Sequence, residues 1–251
     1  MARLIPSTTL CLFALFFVFF AVDAEVPSYI HVCGRRNPQV DQCIQDSVHA
    51  LLPKLKNGLP DLDVPPLEPM EMEEMTLAQL DTFKAVATNC KISGLSNFYY
   101  KHYHADFEKK QFDMELVFPE VIMNADYDVK AKILVPINEK GPIQTVSKDV
   151  VAKVVLKYEL VQRRGRTLIY FPSINMKLHI GDYEAVFRPT PEGGTENPMS
   201  QAINQVLVTS RQEIIDSMTP NIEKTVSKKM LELSNKICKH FTFDELFPDR
   251  V

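Results

Sequence analysis

The spacing of hydrophobic residues changes twice along this chain of 251 residues. Over residues 41–55, apolar side chains such as Ile44 and Leu55 recur every three or four positions, which predicts an amphipathic helix that ends at Gly58. The tract that follows, 59–70, is rich in proline. It must run extended, because proline lacks an amide donor and excludes helix.

Further along the chain the apolar period becomes two, which predicts strands separated by turns. The alternating runs are 112–118, 124–135, 150–160, 174–180 and 183–187. Pro119 is expected to end the first run. Turns are expected at 138–142, 163–166 and 181–182. Cys90 lies in a further short alternating run, and 98–110 has the mixture of aromatic and charged residues typical of an exposed strand. Long strands joined by short turns favour an antiparallel meander with one apolar face.

The helical period returns after the loop-like segment 189–198. Apolar residues recur from Ile203 to Phe241, which predicts a helix of close to 40 residues and about 60 Å. Pro220 is expected to kink or break this helix, with Thr219 capping a restarted one. The helix and the one-faced sheet bury each other if the sheet curls. The predicted fold class is α+β, with a long C-terminal helix wrapped by a strongly curved antiparallel β-sheet.

The N-terminal residues predict where the protein is located. Arg3 precedes an apolar run from Leu10 to Val22, and small or modest residues follow as far as Ala24. This pattern predicts a secretory signal peptide over 1–24 and a domain over 25–251. The apolar run has about 13 residues and a membrane-spanning helix needs roughly 20, so no membrane span is predicted. We expect a secreted, extracellular protein.

The charge of the chain argues against nucleic acid as a partner. The 28 Lys and Arg and 32 Asp and Glu give a net charge of −4. A nucleic-acid-binding protein shows a wide basic face. The dense basic cluster here is 163–166, where a solvated hairpin turn is the simpler interpretation.

Four cysteines follow the leader: Cys33, Cys43, Cys90 and Cys238. They allow three connectivities. We predict a disulfide between Cys33 and Cys43, whose short loop makes the bridge worth roughly 3 kcal/mol. Cys90 and Cys238 are expected to be buried small hydrophobic residues, with a second bridge between them as the alternative.

Catalytic chemistry has little support in the sequence. The chain lacks a Gly-x-Ser-x-Gly elbow, a His-Glu-x-x-His motif and a phosphate-binding glycine-rich loop. His102 and His104 could share a metal ion on one strand face, but a third ligand is not evident. Asp126 and Asp128 pair two carboxylates on a face that also carries lysines, so they are expected to face water. We predict no enzyme, no metal and no cofactor.

The order of features in 33–70 resembles the start of the insect takeout and juvenile-hormone-binding protein family. The features are the paired cysteines, the short helix, Gly58-Leu-Pro and then Pro65-Pro-Leu-Glu-Pro. The similarity resumes at 92–98, with the sequence Ile-Ser-Gly-Leu-Ser-Asn-Phe, at Ala202-Ile-Asn and at Phe243-Asp-Glu-Leu-Phe. It covers nearly the whole mature chain.

The family resemblance implies a fold and a branch. It implies the Cys33–Cys43 bridge and a TULIP-like α/β-wrap that encloses an apolar tunnel. Juvenile-hormone binders of the family carry a second disulfide inside the β region. This chain has no cysteine between Cys90 and Cys238, so the resemblance is to the takeout-like branch.

The resemblance also implies a function: a carrier that binds, in an internal tunnel, a small hydrophobic ligand of terpenoid, fatty acyl or isoprenoid type, a class that includes juvenile-hormone-like compounds. The family is associated with hormone transport, circadian rhythm, feeding and chemosensation. The expected tunnel lining consists of apolar strand and helix positions: Phe112, Met114, Leu116, Tyr127, Val129, Ile133, Tyr158, Met176, Leu178, Ile180, Phe187, Ile203, Leu207, Ile214 and Met218. The alternative is a secreted protein-interaction module whose core is filled by its own side chains.

Overall fold

A long helix lies against a seven-stranded antiparallel sheet. The computed structural model describes residues 26–79, 83–132, 136–187 and 211–251. The helices are α1 (Val40–Leu55), α2 (Arg211–Cys238) and α3 (Phe243–Leu246). The strands are β1 (Met70–Gln79), β2 (Phe83–Ser93), β3 (Tyr99–Asp106), β4 (Gln111–Lys132), β5 (Pro136–Arg163), β6 (Arg166–His179) and β7 (Asp182–Phe187).

The sheet is built around two long central strands. β4 and β5 pair from Gln111 opposite Lys157 to Lys132 opposite Pro136. β2 and β3 lie end to end along the far side of β4, while β6 and β7 lie end to end along the far side of β5. β1 pairs with β2 at the edge. The predicted antiparallel meander is therefore confirmed. The predicted turn at 181–182 is wrong, because these residues interrupt the edge between β6 and β7 without reversing the chain.

The sheet curls around α2. This helix contacts both β1 and β6, which are the first and last strands of the main sheet order. A single helix reaches both edges only if the sheet bends around it. The predicted fold class, a C-terminal helix wrapped by a curved antiparallel sheet, is confirmed.

Two predicted strand boundaries do not exist. β4 continues through Pro119, and β5 already begins at Pro136 and runs through the predicted turn at 138–142. The described pairing of β7 with β5 runs from Asp182 opposite Lys148 to Phe187 opposite Ile143. Residues 136–142 pair with β4, with Pro142 opposite Asp126 and Pro136 opposite Lys132, so pairing with β4 carries β5 through the predicted turn.

A row of residues divides the sheet into two halves. Pro119 and Glu120 of β4, and Lys148 and Asp149 of β5, are all exposed, although apolar positions alternate inward on both sides of them. In β4, the inward-facing positions therefore have even numbers before this row and odd numbers after it. In β5, which runs in the opposite direction, they have odd numbers before the row and even numbers after it. Asp149 has a positive φ of 51°.

The row continues across the neighbouring strands. Gly94 links β2 to β3 with a φ of 92°, and a Cβ there would lie 2.3 Å from the Glu120 carbonyl oxygen, so only glycine fits. On the other side, Gly181 lies against Asp149 between β6 and β7. We call Gly94, Glu120, Asp149 and Gly181 the dividing row.

Each side of the dividing row has its own core. We call the side containing β1, β2 and β7 the methionine half. Its buried residues are Met70, Met72, Met75, Leu77, Ala78, Ala85, Ala87, Cys90, Ile92, Ala125, Tyr127 and Ile143, with Met123, Met218 and Ile222 packed against them. We call the side containing β3 and most of β6 the aromatic half. Its rings are Tyr103, Phe107, Phe112, Tyr158, Phe171, Phe243 and Phe247.

α2 runs past both halves. The predicted break at Pro220 is wrong, since the helix is continuous from Arg211 to Cys238. Pro220 has no amide to donate to the carbonyl of Asp216, four residues earlier. Asp216 is exposed, so water can replace this one missing donor. Thr219 does not cap a new helix, because its hydroxyl donates to the carbonyl of Ile215 at 2.7 Å. The predicted helical positions 203–210 lie outside the described residues.

The predicted turn at 163–166 is confirmed. β5 ends at Arg163 and β6 begins at Arg166, and Arg164 and Gly165 both have positive φ. This is the backbone of a two-residue hairpin of type I′. Arg166 forms an ion pair with Glu245 of α3 at 3.1 Å.

Within the described residues, no helix combines the length and the hydrophobicity needed to cross a membrane.

Candidate functional site

The inner wall of the methionine half combines flexible and small side chains. β1 supplies Met70, Met72 and Met75, all buried. β2 supplies Ala87 opposite Met75, and Ala85 opposite Ala78 of β1. Methionine has three rotatable bonds and adapts to irregular spaces, while alanine leaves room in front of the sheet. The wall can therefore change its shape around an apolar molecule.

The N-terminal part of α2 covers this wall. Met218 and Ile222 pack against the methionine cluster, and Ile215 is buried. Tyr127 is the one aromatic side chain among the described residues of the cluster, and burial raises the pKa of its hydroxyl. Burial also raises the pKa of the Cys90 thiol to about 11. Both groups stay neutral at physiological pH, so neither brings a charge to the wall.

The predicted lining residues fall in different places. Tyr127, Val129 and Met218 belong to the methionine half. A middle cluster between the sheet and α2, on the aromatic side of the dividing row, contains Met114, Leu116, Met176 and Leu178. Phe112 and Tyr158 lie in the aromatic half.

The structure describes the side chains of only some of the remaining predicted lining residues. Ile180 and Ile214 are half-buried. The backbone of Phe187 ends β7, but its side chain is outside the described part of the chain, as are Ile133, Ile203 and Leu207. The structure thus brings together only part of the set that the sequence predicted.

The aromatic half is filled by its own rings. Phe112 stacks on Tyr158 with a centroid distance of 5.3 Å and meets Phe247 at 6.0 Å and Phe171 at 6.4 Å. Tyr158 is 3% exposed, and its hydroxyl has no hydrogen-bond partner within the described structure. Burial raises its pKa to about 12. Aromatic pairs in this geometry are mutually stabilising, so this half is rigid.

Two cross-links close the outer end of the aromatic half. Cys33 and Cys43 form the predicted disulfide, with an S–S distance of 2.05 Å. Arg35 donates to Asp244 at 2.6 Å and to the carbonyl of Phe247 at 2.7 Å. The N-terminal arm and the C-terminal tail are therefore fixed to each other over the ring cluster.

The alternative bridge between Cys90 and Cys238 is absent. Both are free thiols. Cys90 lies in the methionine half and Cys238 in the aromatic half, at opposite ends of the molecule. Burial raises the pKa of Cys238 to about 12. Each acts as a small hydrophobic residue, as expected.

α2 also binds the two sheet edges through polar side chains. Asn235 accepts from the N–H of Phe171 and donates to its carbonyl, both at 2.9 Å. Glu223 accepts from the N–H of Leu178 and from Lys177, also at 2.9 Å. These four bonds hold β6. Toward β1, Asn221 donates to the carbonyl of Leu77 at 3.0 Å.

These edge contacts were missed by sequence reasoning. Asn221, Glu223 and Asn235 interrupt the apolar spacing of the helix, and polar residues on an amphipathic helix are usually assigned to its solvated face. Glu223 is only 8% exposed. The available signal in the sequence was the position of Glu223 directly after the apolar Ile222. A carboxylate that is buried there requires hydrogen-bond partners.

Three of the groups considered for catalysis or metal binding, His104, Asp126 and Asp128, are already engaged. His104 pairs with Asp41 of α1 at 3.0 Å, and this hydrogen bond raises the histidine pKa. Asp126 accepts from Asn89, and Asp128 pairs with Lys140, which lowers the pKa of that carboxyl. In the described ranges, no three His, Cys, Asp or Glu side chains converge as metal ligands.

Comparison with known proteins gives consistent matches. The model of the haemolymph juvenile hormone binding protein family matches residues 11–248. The circadian clock-controlled protein daywake of Drosophila melanogaster is 24% identical over 244 residues, which is 90% of each chain. The crystal structure of Takeout 1 from Epiphyas postvittana covers 87% of this chain and 99% of its own, with a TM-score of 0.74 and 16% identity. The last likeness shows a shared fold.

Proposed function

The chain belongs to the haemolymph juvenile hormone binding protein family, and from this premise we propose that it is a secreted carrier of a small hydrophobic ligand. The methionine half is the observation that supports this function. It combines adaptable methionines, small alanines and neutral polar groups on one inner wall. The family prediction made from the sequence is confirmed, and carriage of a ligand by this chain is the proposal.

The ligand is held by burial of apolar surface. Each Å² removed from water contributes about 25 cal/mol, without directional contacts. Such a wall distinguishes poorly between ligands that differ by one methylene, which changes binding by roughly 1–3 kcal/mol. The Tyr127 hydroxyl is the group that would orient a polar end. The ligand class is therefore a terpenoid, fatty acyl or isoprenoid compound with few polar groups.

The filled interior beyond the dividing row limits the size of the ligand. The described part of α2 that packs on the methionine cluster includes Met218 and Ile222, whereas Val226 already packs on the middle cluster. Beyond the dividing row, the middle cluster and then the aromatic rings occupy the interior. We infer a compact ligand that stays within one half, and the other predicted lining residues would serve as the floor of the site.

The location of the carrier rests on two features. Residues 1–24 have the pattern of a secretory leader. The Cys33–Cys43 disulfide suits an oxidising, extracellular compartment. A physiological link to circadian rhythm is proposed from the name of the Drosophila relative alone.

Native mass spectrometry of protein secreted from insect cells tests the carrier function. We expect a bound species that is released on denaturation and has the mass of a lipid or terpenoid. The Met218→Trp variant should lose this species, because the larger side chain occupies the site. Lys224→Trp is the matched control, since Lys224 is exposed on the same helix and its variant should retain the ligand.

The opposite result in this experiment would point to a different function. A bare polypeptide mass that stays unchanged after incubation with a panel of lipids excludes the carrier function. It would support the second candidate, a secreted protein-interaction module with a self-filled core. The packing of the aromatic half favours that candidate, because half of the molecule is already filled by its own side chains.

A further inference from the structure

The two edges of the curled sheet are held to α2 unequally. In the described structure, Asn235 and Glu223 join β6 to the helix by four hydrogen bonds. Asn221 joins β1 to the helix by one. We propose that the ligand passes between β1 and α2, and that this seam opens while the seam between β6 and α2 stays closed. The inference rests on the proposed carrier function and adds the route by which the site is loaded.

β1 is weakened at the point where Asn221 holds it. The register between β1 and β2 shifts between Thr76 and Ala78, so Leu77 has no partner on β2. A bulge of this kind interrupts the ladder and leaves the extra residue unpaired. The Leu77 carbonyl bonds to the helix instead. Loss of this one bond therefore leaves β1 held to α2 by apolar packing alone, next to an existing interruption of the sheet.

The opposite end of β1 is anchored. Glu68, two residues before β1, accepts from the N–H of Gly94 at 2.9 Å and from the N–H of Ser96 at 2.7 Å. Hydrogen bonds to a charged acceptor are stronger than those between neutral groups. The strand is thus fixed beside the dividing row and weakly held near its C-terminal end. It can swing outward about the Glu68 anchor.

The side chains inside the seam suit repeated opening. β1 presents Met72, Met75 and Leu77 inward, facing Met218 and Ile222 of α2. No ion pair joins β1 to α2 among the described residues. Methionine side chains can repack around a passing ligand without losing a directional contact. The seam between β6 and α2 differs, because opening it would leave the buried carboxylate of Glu223 without partners.

Two asparagine variants on the same helix test the route. Asn221→Ala removes the single bond to β1, and Asn235→Ala removes two bonds to β6. For Asn221→Ala we expect the association and dissociation rates of a fluorescent fatty acid probe to rise together about five-fold, with an unchanged Kd. Asn235→Ala should lower the melting temperature but leave both rates unchanged. Stopped-flow fluorescence measures the rates.

Amide hydrogen exchange gives a readout that needs no ligand. The amides of residues 76–79 should exchange faster in Asn221→Ala than in the unmodified protein, and those of 171–178 should not change. Asn221→Asp, which keeps the size but replaces the donor, should behave like the alanine variant.

The outcomes separate the two proposals. If the probe does not bind the unmodified protein but β1 opens in hydrogen exchange, the carrier function fails and the mobile seam stands. If the probe binds and neither Asn221 variant changes its rates, the proposed route is overturned. Faster rates in Asn235→Ala alone would place the opening at β6 and also overturn it.

Discussion

The methionine half and the aromatic half share the long strands β4 and β5 and the helix α2, yet they are packed in opposite ways. In the aromatic half, rings such as Phe112 and Tyr158 meet at defined distances, and the disulfide and Arg35 close the end. In the methionine half, Met75 and Ala87 face each other from neighbouring strands. One half gains its stability from fixed geometry, and the other keeps side chains that can rearrange.

This difference indicates a division of roles within one fold. Protein interiors pack as densely as organic crystals, so a cavity that accepts variable ligands needs side chains with little preference for one arrangement. A carrier built of methionine alone would lose a unique structure. Here the aromatic half together with the terminal cross-links supplies the fixed reference, and the methionine half supplies the adaptable wall.

The largest expected effect comes from the rings. Phe112→Ala should lower the free energy of unfolding by about 3–5 kcal/mol, because it leaves a cavity among rings that cannot collapse into it. Met75→Leu, a change of similar volume in the other half, should cost less than about 1.5 kcal/mol. Urea unfolding of both variants measures the difference. Equal losses would show that the two halves are packed alike.

The disulfide should be the next largest contributor. Replacing Cys33 and Cys43 together by serine should lower the free energy of unfolding by roughly 2–4 kcal/mol, since the unfolded chain regains the freedom of the loop. The affinity for a probe ligand should change little, because the bridge lies at the far end of the aromatic half. A large loss of affinity without unfolding would mean that the halves are not independent.

Tyr158 gives a smaller effect of opposite sign. Tyr158→Phe should raise the free energy of unfolding by about 1 kcal/mol, because it removes a buried hydroxyl that has no partner. Tyr29→Phe is the control and should be neutral or destabilising, since it loses the hydrogen bond to Asp61. Thermal unfolding distinguishes them. A destabilised Tyr158→Phe protein would indicate that a water molecule satisfies the hydroxyl.

The smallest effect concerns pH. The bond to Asp41 raises the pKa of His104 in the folded protein, so its contribution is fully present below the ordinary histidine pKa of about 6.5. It is lost as the pH rises through the raised value. The pair is exposed, so the contribution should be a few tenths of a kcal/mol. His104→Gln should lower the melting temperature at pH 5.5 and leave it unchanged at pH 9.

Much of the fold could be predicted from the sequence because the patterns that encode it are local. The alternation in 150–160 and the helical period of α2 each report the face that one element buries. The boundaries failed where a distant strand decides. Pro142 lies within β5 because β4 pairs with β5 across this region, with Asp126 opposite Pro142, and residues 138–142 alone do not reveal that pairing.

The site was less predictable than the fold. The change in which positions face inward at Pro119 is present in the sequence, but the sequence predicts a strand end there, since proline usually ends a strand. Phe112 and Tyr127 lie in different cores because the dividing row separates them. Only the structure shows this separation. Asn221 and Asn235 required it as well, because a helix does not reveal which sheet edge its polar side chains will meet.

The dividing row also determines which parts of this protein can be exchanged between relatives. Substitutions at sites more than about 7–10 Å apart, without shared partners, have additive effects on stability. The row separates the buried clusters of segments 70–92 and 121–147 from the rings beyond it. These two segments, together with the part of α2 that carries Met218 and Ile222, therefore form a block that can be replaced as a unit. Under the proposed carrier function, a chimaera that carries this block from another family member should acquire its ligand preference while keeping the disulfide-closed end of this chain.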